Sequence, residues 1–155
     1  MIAIKTFLWS IFVPGTVTLV VPYLLLSSRA NHFDFQFSYL RLLGLLPIVA
    51  GVLLYVWCAW DFTFTGQGTP APFDPPKELV VKGPYRYVRN PMYTGILMIG
   101  FSLGLALGTW LLPASATLVF SILAVRTRTE ETYLIARFGD QYRAYMSRVG
   151  RFFPI

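Results

Sequence analysis

Cysteine and histidine each occur once in these 155 residues, at Cys58 and His32, and acidic side chains number only seven. One cysteine closes no intrachain disulfide, and one cysteine with one histidine cannot complete a zinc tetrahedron. Neither a disulfide framework nor a metal centre is therefore expected. Charged residues make up 13% of the chain, about half the share usual in soluble domains, so a water-solvated surface is poorly provided for. The first apolar run lacks an A-x-A-like cleavage site and continues through Tyr23 to Leu26, so it reads as a retained anchor and not as a removable signal.

What the chain has in quantity is apolar surface: 55% hydrophobic residues and a mean hydropathy of +0.58. A small soluble domain exposes much of its surface and must cover it with polar groups, so this composition points to the bilayer as solvent. The net charge of +6 does not point to nucleic acid, because the basic residues flank apolar segments and form no stripe with exposed aromatics. Membrane lipid phosphates are the expected anionic neighbours.

The pattern predicts an all-α integral membrane protein with about four transmembrane helices, over residues 6–27, 42–60, 92–108 and 111–125. Each of the first two approaches the roughly 20 residues that cross a hydrocarbon core, with Pro14 and Pro22 as expected kinks in the first. Trp57 and Trp60 are expected interfacial anchors for the second, with Arg41 at its other end. The last two form a helical hairpin turning between Gly108 and Pro113, and the final arm is short for a full crossing. A C-terminal interfacial helical segment over residues 126–155 completes a single domain, with Gly139 as an expected C-cap and Asp140 placed to cap the following turn.

Residues 61–90 form a long connection dense in glycine and proline, which cannot continue as a regular helix. Its Phe73, Leu79, Val80, Val81, Tyr85, Tyr87 and Val88 are more apolar than a solvated linker requires, so it is expected to pack against something. In a four-span arrangement Lys5, the basic residues of 77–89 and those from Arg126 onward share one side, opposed by Arg29 and Arg41. The positive-inside rule then places both termini and the connection in the cytoplasm, as for a bacterial inner membrane.

Two clusters on that face carry the chemistry: residues 83–95, GPYRYVRNPMYTG, and the acidic pair Glu130 and Glu131 with Leu134, Phe138 and Gly139. Taken separately they have ordinary explanations. Gly83-Pro84 serves as a turn, Asn90-Pro91 as a helix cap followed by an N1 proline, and the arginines as lipid anchors. Arg126 and Arg128 can pair locally with the acids. Two carboxylates near the end of a membrane helix nevertheless imply a cationic partner, since anionic lipid disfavours them.

Together the clusters carry a resemblance. GPYRYVRNPMYTG, then an apolar hairpin, then EExxLxxxFGxxYxxY (Glu130, Glu131, Leu134, Phe138, Gly139, Tyr142, Tyr145) and a closing VxRxxP (Val149, Arg151, Pro154) resemble the isoprenylcysteine carboxyl methyltransferase and phospholipid methyltransferase superfamily. The likeness runs from about Gly66 to the C-terminus, and GTPAPFDPPKELVV is similar to its small bacterial members. It implies a membrane enzyme that transfers the methyl group of S-adenosylmethionine to a lipophilic or membrane-adjacent small acceptor. By this resemblance the cofactor lies against Gly83, Pro84, Tyr85, Val88, Arg89, Asn90, Tyr93, Glu130 and Glu131, with Arg89, Asn90, Tyr93 and Glu131 the expected catalytic residues. Relatives that methylate prenylated cysteine have histidine where this chain has Asn90. Asparagine is no base at neutral pH, which leaves the acceptor type open and passes that role to Glu131 or Tyr93.

Two other classes remain open on the sequence. A sterol-reductase-like NADPH enzyme is distantly similar in its C-terminal architecture, although NPMYTG departs from its R-H-P-N-Y-like motif. A noncatalytic membrane scaffold would use the connection as a docking surface. His32 and Asp34 read as solvated interface groups, and Cys58 as a small packing hydrophobe. Gly100, Gly104 and Gly108 suit close helix approach, within the chain or in a homodimer. Tyr142, Tyr145, Phe152 and Phe153 read as membrane-interface packing, with a lesser claim to line a lipid entrance.

Overall fold

The computed structural model describes residues 1–27, 42–69, 75–109 and 111–155. Expectations for Arg29, His32, Asp34, Arg41 and Phe73 lie outside these residues. The described residues are helical throughout their regular structure: α1 Ile2–Gly15, a π turn Thr16–Val20, α2 Val21–Ser27, α3 Leu45–Phe64, a 3-10 turn Gly83–Arg86, α4 Pro91–Leu107, α5 Leu111–Phe138 and α6 Asp140–Met146. Among them, the one strand-like pairing is a parallel bridge between Val88 and Gly150.

α3 and α5 are long and apolar enough to cross a membrane, and α4 is a shorter apolar helix. Only 11% of the apolar window of α3 and 17% of that of α5 are buried within the molecule. A core helix of a soluble protein would be mostly covered, so these faces require lipid. Exposed Leu46, Val49, Leu53 and Val56 on α3 and Leu118, Ile122 and Val125 on α5 form that lipid-facing surface. The chain is a membrane protein by this criterion.

The helical path of α1 and α2 continues through Pro14 and Pro22, with its register widened to one π turn between them. Each proline withholds an N–H from the helical ladder, and a wider turn re-aims the carbonyls left over. The hydroxyl of Thr16 bonds back to the carbonyl of Phe12. A hydroxyl pair, Thr63 to Thr6 at 2.9 Å, ties this N-terminal rod to α3.

Small residues set the spacing of the other helices. A side chain at Gly51 would meet the carbonyl of Gly95 at 2.7 Å, and one at Gly95 would meet that of Gly51 at 2.9 Å. The backbones of α3 and α4 therefore touch, which only glycine at both positions permits. On the other side of α4, Gly100 faces Ala116 and Gly104 faces Pro113 of α5. Gly108 ends α4 in the left-handed conformation, φ 68°. The glycine series thus closes the α4–α5 hairpin within one chain.

The α5 helix does not stop near Val125. The whole helix is 28 residues long, about 42 Å at 1.5 Å per residue, well beyond a hydrocarbon core of about 30 Å. Residues 126–138 contain neither glycine nor proline and consist largely of tolerant helix formers, so nothing interrupts propagation until Gly139 at φ 54°. The acidic pair consequently rides on a rigid extension of a spanning helix. Asp140, expected as a cap, is instead the first residue of α6 and pairs with Arg143 at 3.2 Å on the surface.

The connection packs through part of its apolar set, while Val81 and Tyr87 are exposed. Val80 and Tyr85 are buried with Cys58 of α3 and Met92 of α4, while Leu79 next to them packs on Tyr142, Tyr145 and Val149. The segment is a wedge between the membrane helices and the C-terminal tail, and each buried apolar side chain contributes about 1.5–3 kcal/mol to holding it there.

Candidate functional site

The Gly83 turn is dictated by its neighbours. Gly83 has φ 54°, and a Cβ there would lie 2.5 Å from Asp61 Oδ2 and 2.9 Å from Trp57 Nε1. Glycine permits both the conformation and the close approach to α3. Pro84 follows as the second residue of the 3-10 turn, where its ring fixes its own φ. The turn delivers Tyr85 inward, where its carbonyl accepts a 2.6 Å hydrogen bond from the Tyr145 hydroxyl. Burial pushes the Tyr85 hydroxyl well above the ordinary tyrosine pKa, helped by the neighbouring Cys58.

Beyond the turn, residues 88–90 pair with the tail. Arg89 N–H donates to the Gly150 carbonyl at 2.8 Å, and Asn90 N–H to that of Arg151 at 3.2 Å. Asn90 occupies the N-cap position before Pro91, as the sequence suggested, but its side chain caps nothing. Its Nδ2 instead donates to the Arg151 carbonyl at 3.1 Å. Residue 150 must be glycine for this pairing, because a side chain there would collide with the Phe153 carbonyl.

The two acids, adjacent in sequence, have different partners. Glu131 is buried, and both its oxygens are held by arginines. Arg151 donates from Nε to Oε1 at 3.1 Å and from Nη2 to Oε2 at 2.5 Å, while Arg89 Nη2 approaches Oε1 at 3.1 Å. Glu130 is half-exposed, pairs with Arg126 one turn earlier at 2.9 Å, and accepts the Tyr93 hydroxyl at 3.0 Å to each oxygen. The local pairing expected for the acids holds for Glu130 alone, because successive residues on a helix point about 100° apart.

Arg89 is the unbalanced member. Its side chain is 9% exposed, yet Nε and Nη1 are buried with no hydrogen-bond partner among the described residues. Two guanidinium groups share one carboxylate, leaving a positive charge in excess. A buried, uncompensated charge with free donors is costly unless an anion completes it.

These groups line a cavity of about 420 Å³, within the size range of small-molecule sites. Tyr85, Arg89, Asn90, Tyr93, Glu130 and Glu131 contribute to its wall, as the sequence suggested. Gly83, Pro84 and Val88 do not line it. They shape the segment that does, through the contact with α3 and the bridge to Gly150.

Three residues weighed otherwise in the sequence also belong here. Tyr142 and Tyr145, read chiefly as interface aromatics, line the cavity with ring centroids 5.9 Å apart. Burial and the neighbouring Glu131 push the Tyr142 hydroxyl up to about 12, and burial raises that of Tyr145 as well. Arg151, noted only as a motif position, clamps Glu131, whose hydrogen bonds hold its guanidinium above the usual pKa. The i, i+3 spacing of the tyrosines was the available signal, since it places both on one helix face.

The model of the phospholipid methyltransferase family matches residues 39–141. Over 82 residues, half of this chain and 33% of the relative, the sequence is 35% identical to a protein-S-isoprenylcysteine O-methyltransferase of Schizosaccharomyces pombe. Over 70 residues, 45% of this chain and 24% of the relative, it is 33% identical to methanethiol S-methyltransferase 1 of Bradyrhizobium diazoefficiens. The matches thus span a third or less of these relatives' length. No solved structure matches the chain.

Proposed function

Because the chain belongs to the phospholipid methyltransferase family, we propose that it transfers a methyl group from S-adenosylmethionine to a lipophilic acceptor at the membrane surface. The single observation that carries this reading is Arg89, which lines the cavity and whose buried Nε and Nη1 have no partner among the described residues. A guanidinium with N–H groups left over suits a carboxylate, such as that of the cofactor's amino acid end.

The other lining residues fit the same ligand. Tyr85, Tyr142 and Tyr145 offer aromatic faces for an adenine or a sulfonium. Glu131 keeps lone-pair capacity for a ribose hydroxyl or the amino group, and the Oδ1 of Asn90 remains an acceptor while Nδ2 is held by the tail. The bound cofactor supplies an activated methyl group. The chain's own work is to hold nucleophile and methyl carbon in line and to keep water out.

Support for a lipophilic acceptor comes from a second hollow. An apolar groove of about 530 Å³ lies beside the π turn, lined by Phe12 and Leu19 of the N-terminal rod, Val52 of α3 and Ile99 of α4. Tyr55 and Ile96 line both this groove and the site cavity, so an apolar molecule has a short route between them. The positive-inside rule supports a cytoplasmic site and termini, in a bacterial inner membrane.

Calorimetric titration of the detergent-purified chain with S-adenosylhomocysteine tests the reading, with Glu131→Ala and Asn90→Ala alongside. Binding by the parent chain and weaker binding by both variants is expected. NADPH binding without S-adenosylhomocysteine binding would replace this reading with the reductase class, and a blank for both would leave the scaffold.

A further inference from the structure

The two carboxylates in the cavity differ in what holds them. Glu131 has both oxygens engaged by two guanidinium groups, so each oxygen is already shared with a cation. Glu130 has one arginine, Arg126, and its second strong partner is a neutral hydroxyl, that of Tyr93. The charged and titratable groups facing the Tyr93 hydroxyl are Glu130 and Arg126 on α5 and Tyr55 on α3. The cation among them is already paired to Glu130, so this part of the wall has no spare positive charge.

We propose that Tyr93, backed by Glu130, is the proton-accepting couple of the site, and that the acceptor is a lipophilic thiol. This rests on the methyl-transfer reading given above. A carboxylate acceptor is ionised at neutral pH and has no use for a base, but needs a cation, which the Tyr93 side does not supply. An amine is an ammonium at neutral pH and enters an apolar groove at a high desolvation cost. A thiol, with a pKa near 8.5, is mostly neutral at pH 7, passes through apolar surroundings and must shed a proton to become nucleophilic.

The step balances within the residues present. The thiol proton passes to the Tyr93 oxygen as the Tyr93 proton passes to Glu130. The acceptor sulfur uses its electron pair to form the new S–CH₃ bond, and the pair of the breaking methyl–sulfonium bond stays with the departing thioether. Glu130 then returns its proton to water, which it can reach because its side chain is 36% exposed. Tyr93 lines the cavity beside Tyr55 and Ile96 and bonds to Glu130, so the half-exposed acid extends the path from its hydroxyl toward water.

The test uses radiolabelled S-adenosylmethionine with decanethiol, decylamine and decanoic acid, on the purified chain and on its Tyr93→Phe and Glu130→Gln variants, with S-adenosylhomocysteine titrated against all three proteins. Transfer to the thiol in preference to the amine and the acid is expected. Both variants should lose about 10²-fold or more in kcat/KM with the thiol, well beyond any change in their S-adenosylhomocysteine affinity. Decanoic acid or decylamine as the preferred acceptor, no transfer to the thiol by a chain that binds S-adenosylhomocysteine, or thiol transfer within about threefold of the parent in both variants would each overturn the proposal. Failure of the parent chain to bind S-adenosylhomocysteine would instead remove the methyl-transfer reading beneath it.

Discussion

Arg151 and Glu131 meet through two hydrogen bonds, 3.1 and 2.5 Å long, that join the C-terminal tail to the extended end of α5. The same tail residue accepts two bonds from Asn90 through its carbonyl. One residue therefore joins both clusters, and the site closes only when the tail is docked.

Arg151→Ala should accordingly act on the site and on the fold. Loss of two charge-assisted hydrogen bonds, one guanidinium being 34% exposed, should lower stability by about 1.5–3 kcal/mol. S-adenosylhomocysteine should bind at least tenfold more weakly. Thermal unfolding in detergent and calorimetry measure the two effects.

Arg89→Lys should fail to replace arginine despite keeping the charge. An ammonium is a compact point charge whose three N–H groups diverge, so it cannot reproduce the spread of donors of a planar guanidinium. A loss of about 10–100-fold in S-adenosylhomocysteine affinity is expected by calorimetry. Lysine binding as tightly as arginine would refute the guanidinium contact.

Gly83→Ala should destabilise the chain without touching the cavity wall. The methyl group would meet Asp61 Oδ2 and Trp57 Nε1, and φ 54° suits no β-carbon. A cost of about 1–3 kcal/mol is expected, read as a lower unfolding midpoint. Adding Asp61→Ala should recover only the part due to the clash, because the backbone strain remains.

Stability should fall in alkali. The Tyr142 hydroxyl is raised from 10.0 to about 12 in the folded chain, so folding favours its protonated form. That contribution is fully present below pH 10 and is lost as pH rises from about 10 to 12. Tyr85 and Tyr145, shifted in the same direction, extend the effect. Unfolding midpoints across this range should drop less steeply in Tyr142→Phe than in the parent, with tyrosinate absorbance following the titration.

Much of this arrangement was legible beforehand. The apolar stretches located α3, α4 and the start of α5 within a few residues, because a segment solvated by lipid must be both apolar and helical. Tyr85, Arg89, Asn90, Tyr93, Glu130 and Glu131 were identified from linked motifs and line one cavity. The continuation of α5 past Val125 was not foreseen, since a change from apolar to charged residues marks where lipid ends and not where a helix ends. Nor was Arg151 foreseen in its clamp on Glu131, since a tail arginine near a membrane equally suits a lipid phosphate.

By itself, the order of residues determined the solvent of this protein, the type of its elements and the chemical kinds of group in its site. Those properties follow from local composition and from side chains a few positions apart. Only the tertiary structure decided which of two neighbouring acids is locked and which is available, that Asn90 turns to the tail, and that Arg89 has donors to spare. Each depends on contacts across some 20 to 60 residues, and the direction in which a helix presents a side chain is settled by what packs beside it.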